Sequence, residues 1–283
     1  MKRRALVSSL GALLFSAGAA VLAGKLAARR GNRASGRARI VSLAPALTET
    51  LLALGGEHQL VGVSDYCKLP ESLKLPRVGS SLTPRYEAIA TLHPSLVLCD
   101  DSAGAKRAEL AALGPCEFLP WLTLAEVVKS TRRLGEVSGH AADGAALAAK
   151  LEARLSKPAP PGAPRVLMLL SYDPDRPAEL WFIRRNSLHG AALEAAGARN
   201  AVERDVPGLP RLSVEELLKL DPDAVLILPP PGSAPEREAA LVLAFGKLAP
   251  LRAVKNGRVK CVAGTQSVGP SILQLVDAIE AAL

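Results

Sequence analysis

The stretch PRYEAIATLHPSLVL, Pro84 to Leu98, returns later in the chain as LSVEELLKLDPDAVL, Leu212 to Leu226. Laid on each other without a gap, Glu87 meets Glu215, Leu92 meets Leu220 and Pro94 meets Pro222. Each copy reads as a short helix with an acidic first turn, a stop at the residue before proline, where helical backbone is sterically disfavoured, and then a buried strand. A chain that builds one helix-to-strand unit twice is expected to fold as two lobes on one plan.

The rest of the chain follows that plan. ARIVSLAP, QLVGVSD, SLVLCD and CEFLP read as strands, separated by LTETLLALG, the first copy of the repeated helix, and AKRAELAALG. Apolar runs alternating with helices predict a mostly parallel sheet covered on both faces, an α/β lobe over residues 38–122. Helical spacing then continues over 123–157, and Ala141 to Lys157 would span roughly 26 Å at 1.5 Å per residue. PAPPGAP ends it, and a second lobe over 164–283 opens with PRVLMLLSYD. NSLHGAALEAAGA, the second repeat copy, the strand in KNGRVKCVAG and the helix SILQLVDAIEAAL complete that lobe. The predicted fold is two pseudo-duplicated α/β lobes joined by one long backbone helix. Ligands of open α/β sheets bind beyond the carboxyl ends of the strands, so the cleft between the lobes is the expected site.

The formal charge of +8 invites a nucleic-acid reading, but its distribution removes it. Residues 1–39 hold nine basic residues and no acid, so the remainder carries 26 basic against 27 acidic residues. A nucleic-acid groove needs clustered Lys and Arg in the folded part. MKRR followed by the uncharged run Ala5 to Gly24, with small residues at Val21-Leu22-Ala23, predicts a signal peptide over 1–23 and export to the periplasm or cell envelope. An uncleaved anchor is the alternative, since about 20 apolar residues also span a bilayer. Residues 24–37 read as a basic flexible linker. Cys67, Cys99, Cys116 and Cys261 show no CxxC spacing and read as buried free thiols, with Cys99 and Cys116 expected at opposite ends of a parallel strand pair.

RIVSLAPALTETLLALG, LVGVSDYC, PRVGS, YEAIATLHPSLVL and LPRLSVEELLKLDPDAVLIL resemble the periplasmic substrate-binding proteins of cobalamin, haem and iron-siderophore ABC importers, over essentially residues 38–283. The resemblance implies a monomeric receptor with no covalent cofactor. It would bind a cobalt or iron chelate and have a two-fold permease and its ATPase as partners. It also implies that Glu87 and Glu215 form salt bridges with arginines of the permease. Two like charges at a fixed separation suit such a partner, giving orientation and on-rate. Ser213 and Glu216 form a possible capping box, which leaves Glu215 free to point outward.

For the ligand, position near strand ends singles out Tyr66, Ser80, Ser81 and Trp121 from the first lobe, together with residues 44–46, Asp65, Cys67, Asp100 and Asp101. The second lobe offers Tyr172, Trp181, Arg184, Arg185, Leu209, Arg211, Thr265 and Gln266. Aromatic walls suit large planar or corrinoid ligands, and arginines suit anionic chelates. Cobalamin binders of the family often carry tryptophans where this chain has Ser80 or Ser81, Asp100 and Leu209. A haem would want a well-placed Tyr or His, for which Tyr66 is the candidate.

Three rivals remain on the sequence alone. An enzyme on a doubly wound fold would carry a G-x-G-x-x-G, Walker or G-x-S-x-G signature, and none is present. An envelope-anchored binding or sensor protein that has lost its chelate site would show polar replacements at wall positions. A direct zinc or manganese receptor needs converging His and carboxylates, which four scattered histidines do not offer.

Overall fold

The apolar runs after Arg39 become the first sheet. In the computed structural model, which describes residues 38–171, 180–206, 210–230, 232–248, 250–262 and 269–283, its strands are β1 (Ile40–Ser42), β2 (Leu60–Val63), β3 (Leu96–Asp100) and β4 (Cys116–Leu119). They pair in the order β2-β1-β3-β4, all parallel. The crossovers contain α1 (Pro45–Ala53), α2 (Tyr86–Thr91) and α3 (Arg107–Ala112). Because the order reverses at β1, the crevice between the ends of β1 and β3 is the switch point of this sheet. Val41, Leu43, Val78, Ile89, Val97, Cys99 and Leu110 pack as one cluster.

The linking region is a hairpin of α4 (Leu124–Ser138) and α5 (Ala141–Leu155). Thr123 and Glu126 cap α4 reciprocally, and Gly139 ends it in a left-handed turn at φ 80°. The helices approach so closely that a Cβ built on Gly135 would lie 2.8 Å from the Gly144 Cα, so neither position admits a side chain without the helices parting. α5 carries the chain into the second lobe, about 22 Å long at 1.5 Å per residue. It stops short of the expected Lys157, because a residue before proline resists helical backbone.

The second sheet contains β5 (Arg165–Ser171), β6 (Leu180–Phe182), β7 (Arg199–Asn200), β8 (Arg211–Leu212), β9 (Ala224–Ile227) and β10 (Val259–Cys261). Its order is β10-β9-β5-β6-β8, with β7 beside β5. Here the mostly parallel expectation needs refinement: β6 runs antiparallel to both β5 and β8. Around it lie α6 (Leu188–Ala195), α7 (Val214–Leu220), α8 (Pro235–Phe245), α9 (Arg252–Lys255) and α10 (Ile272–Ala282). Leu167, Leu169, Phe182, Leu217, Val225, Ile227 and Phe245 fill the core between them.

The cysteine expectation is corrected. All four thiols are free, but Cys99 and Cys116 are not at opposite ends of their strand pair. β4 starts level with the middle of β3, with Cys116 opposite Val97 and Cys99 opposite Phe118, so the thiols are diagonal neighbours. The leader at 1–23 and the linker at 24–37 lie outside the described residues. Among those described, no helix is long and apolar enough to cross a membrane.

Candidate functional site

The repeated unit folds the same way twice. α2 puts Glu87 in its first turn and α7 puts Glu215 in its first turn, both exposed. Each helix runs into a residue before proline with left-handed backbone, His93 at φ 45° and Asp221 at φ 39°. They are the two non-glycine residues with positive φ among the described residues. β3 and β9 then begin at matching positions, Leu96 and Ala224. The capping box of Ser213 and Glu216 is formed, and the backbone N–H of Ser213 holds the Glu216 carboxyl below its usual range. Glu216 is thereby engaged locally, while the Glu215 side chain stands 77% exposed and meets Lys219 Nζ at 2.7 Å. Glu87 has no such ion-pair partner among the described residues.

The rim of the first lobe is assembled beyond the carboxyl ends of β1, β2 and β3. Tyr66 is 74% exposed, its backbone N–H donating to Ser64 Oγ. Ser80 is half-buried and shares its hydroxyl with Thr83. Ser81 is buried and spends its Oγ on Leu43 O at 3.3 Å and on the Asp100 N–H at 3.4 Å. It therefore sits in the switch-point crevice as a tie between β1 and β3 rather than presenting a hydroxyl to a ligand. Trp121 is also buried, at 7% exposure, so little of its ring is available as a cleft wall. The exposed apolar surface on this rim comes instead from Leu82 and Leu122, with Asp65 and Arg85 paired beside it at 2.6 Å.

In the second lobe, β6 starts level with the end of β5, so Trp181 lies opposite Ser171 at the carboxyl end of that strand. Arg211 is Trp181's partner on β8, and its guanidinium lies over the indole at 5.3 Å from the ring centroid. An aromatic face with a cation on it is thus fixed by strand register at the cleft end of the sheet. Arg184 and Arg185 lie further along, past the end of β6, where the chain runs away from that edge. The Arg184 guanidinium reaches Val206 O at 3.5 Å, and its carbonyl accepts from Ser187 Oγ. The structure brings Trp181 and Arg211 together and leaves Arg184 and Arg185 behind them. Tyr172, Leu209, Thr265 and Gln266 lie outside the described residues.

Hydrogen bonds join the lobes beside these ends. The Leu188 N–H, at the start of α6, donates to Leu122 O at 2.8 Å. Glu49, on α1, accepts from the Ser271 N–H at 2.6 Å, at the start of α10. A Cβ on Gly269 would lie 2.5 Å from the Glu49 carboxyl carbon, so that position must stay without a side chain for the tie to form. Sequence reading missed Glu49; an acid in the otherwise uncharged helix LTETLLALG was its one signal. Among the described residues, no group of three or more His, Cys, Asp or Glu side chains is placed to hold a metal ion.

This arrangement, two α/β lobes joined through a helical hairpin, is shared with known proteins. The profile of the periplasmic binding protein family matches residues 40–262. The chain belongs to that family. Among its relatives, a cobalamin-binding protein of Halobacterium salinarum is 29% identical over 203 residues, 66% of this chain. The match spans 53%, about half, of that relative's length. Among solved structures, a periplasmic haem-binding protein of Vibrio cholerae superposes with a TM-score of 0.72 at 25% identity, covering 87% of this chain and 98% of its own. A periplasmic haem-binding protein of Pseudomonas aeruginosa is 29% identical, with a TM-score of 0.66 and coverages of 86% and 90%. The family resemblance read from the sequence and the two-lobed α/β fold stand together on these matches.

Proposed function

We propose that the chain is the substrate-binding component of an ABC importer, without catalytic activity. It would capture a metal chelate between its lobes and deliver it to a two-fold permease. The observation that carries this reading is the structural duplication: one exposed first-turn glutamate per lobe, each on a short helix that feeds a core strand of its own sheet. A single such glutamate would be accounted for by its own helix, because an acid in a first turn favours the macrodipole by a few tenths of a kcal/mol. Two matched ones on two lobes give a bivalent acidic address, which local helix stability does not require.

The ligand class follows from the cleft edge and from the relatives. Trp181 stacked under Arg211, with exposed Tyr66, Leu82 and Leu122 across the cleft, suits a large ring system carrying acidic groups: a cobalamin or related corrinoid, a haem, or a ferric siderophore. Relatives named for binding cobalamin and haem support that class. Export to the periplasm, implied by the basic-then-apolar leader sequence, places the receptor on the side from which an importer collects. A thermal-shift screen of the chain against cyanocobalamin, haemin and ferric siderophores tests the reading. A ligand at 100 times its dissociation constant adds about 2.7 kcal/mol to stability. Silence from every compound would remove the chelate-receptor assignment.

A further inference from the structure

Two of the four free cysteines are neighbours in a way that serves neither sheet pairing nor the cleft. On β3, Val97 and Cys99 share a face because side chains alternate along a strand. Cys116 stands opposite Val97, so its thiol and that of Cys99 lie on one face of adjacent strands, two residues out of register. Both pack in the cluster with Ile89 and Leu110. The proximity of the two thiols shifts the ionisation of each. Their access differs: Cys99 is fully buried, whereas Cys116 is half-buried as the first residue of an edge strand. The Cys116 Sγ also lies 3.3 Å from Leu110 O and 3.5 Å from Gly114 O.

We propose that Cys99 and Cys116 are a redox pair, closing to a disulfide by exchange with a small-molecule disulfide such as oxidised glutathione. The accessible Cys116 thiolate attacks one sulfur of oxidised glutathione, forming a mixed disulfide and releasing one glutathione thiolate. Cys99 then loses its proton and attacks the Cys116 sulfur, which expels the second glutathione. Two protein thiols are oxidised to one disulfide, and one oxidised glutathione is reduced to two thiols. The roles follow from position, and the opposite pKa shifts of the two thiols support them. The contact with Cys99 lowers the pKa of Cys116, while the same contact and burial push Cys99 up.

The geometry requires one adjustment. A disulfide wants its Cα atoms within about 4.4–6.8 Å, whereas two residues out of register on parallel strands about 4.8 Å apart, with a rise of about 3.3 Å per residue, start at roughly 8 Å. Closing therefore draws the start of β4 toward β3. Among the described residues no strand pairs beyond β4, so no further ladder has to move with it on that side. The bond would cinch the crossover that carries Asp100, Asp101 and α3 at the rim of the first lobe. It is independent of which chelate the cleft takes.

Cys67 and Cys261 serve as internal references. Cys67 is buried against Thr48 Oγ1 at 3.0 Å, and burial raises its pKa. Burial likewise pushes Cys261 up to about 11. The test is to incubate the folded full chain with oxidised glutathione, alkylate the remaining thiols in denaturant, and map the unreduced peptides by mass. The expected product links the Cys99 and Cys116 peptides and is two hydrogens lighter than their sum, with Cys67 and Cys261 alkylated. Cys99→Ala should stop at a persistent glutathione adduct on Cys116. A persistent adduct on Cys116 in the unsubstituted chain, a link involving Cys67 or Cys261, or four alkylated thiols would each overturn the proposal.

Discussion

Glu49 Oε1 accepts the Ser271 backbone N–H at 2.6 Å, joining residues 222 positions apart in the chain. Glu49 rides on α1, directly after β1; Ser271 opens α10, the last helix of the second lobe. The first N–H groups of a helix have no partner inside it, so a carboxylate there satisfies an orphan donor and complements the helix dipole. Here the carboxylate comes from the other lobe, so capping α10 and holding the lobes together are one interaction. Glu49→Ala should lower unfolding free energy by about 1–2 kcal/mol, in the range for losing a charged hydrogen bond to a helix start. Urea unfolding measures it, and faster amide exchange at the start of α10 should accompany the loss. An unchanged midpoint would show that the tie is dispensable.

The paired glutamates predict a separation of function. Glu87→Ala with Glu215→Ala should leave chelate affinity and melting temperature unchanged while abolishing uptake by cells that depend on this receptor. Both side chains are exposed and neither caps its helix, since Glu216 does that for α7. The single Glu215→Ala change should be the milder one, because that carboxylate already shares its charge with Lys219, whereas Glu87 has no ion-pair partner among the described residues. Unaffected uptake in the double variant would refute docking through these residues.

What the sequence disclosed depended on how local each signal was. The repeated unit was legible because its parts are consecutive: first-turn acid, residue before proline, apolar strand. The capping box at Ser213 was legible for the same reason. β6 and β8 were not, because an antiparallel insertion of three and two residues carries too little alternation to register. α8 went unread, although Pro235 is well suited to a first helical turn. The site was less legible than the fold. Strand-end counting reached Trp181 and Arg211, but it could not say that Ser81 and Trp121 turn inward. The inter-lobe role of Glu49 depends on a partner 222 residues away.

Arg211 gives a direct probe of the ligand wall. Its side chain is exposed and lies over Trp181 on β8, at the edge of the second sheet. Arg211→Ala should weaken binding of an acidic chelate about tenfold, which corresponds to about 1.4 kcal/mol, without lowering the melting temperature of the free protein. Arg211→Lys should recover only part of it, because an ammonium lacks the planar fork that pairs with a carboxylate. Equal affinities in all three proteins, by fluorescence quenching or calorimetry, would remove Arg211 from the site.

The linking geometry predicts a small motion. α5 is a single rigid connection, braced along its length by α4 and tied at its end through Arg154 to Asp277 and Glu280 of α10. With the Glu49 tie and the Leu122–Leu188 hydrogen bond beside the cleft, wide hinge opening would break contacts at several points together. X-ray scattering with and without chelate should give nearly superimposable curves. A drop in radius of gyration typical of hinge closure would contradict the bracing.

Acid should release a different anchor. Asp223, just before β9, accepts the Arg165 N–H at 2.8 Å and Arg252 Nη1 at 2.7 Å. The backbone hydrogen bond from Arg165, followed by the charge and hydrogen bond of Arg252, holds its carboxyl below the usual aspartate range. A carboxyl whose pKa is lower in the folded state contributes stability that is fully present above its unfolded value, near 3.8, and is lost as pH falls through the folded value. Asp223→Asn should therefore be less stable than the unsubstituted protein at pH 7, and the gap should narrow as pH drops below about 4. Urea midpoints measured for both proteins across that range supply the comparison. A gap that stays constant down to pH 2 would mean that Asp223 acts through packing or neutral hydrogen bonding rather than through its charge.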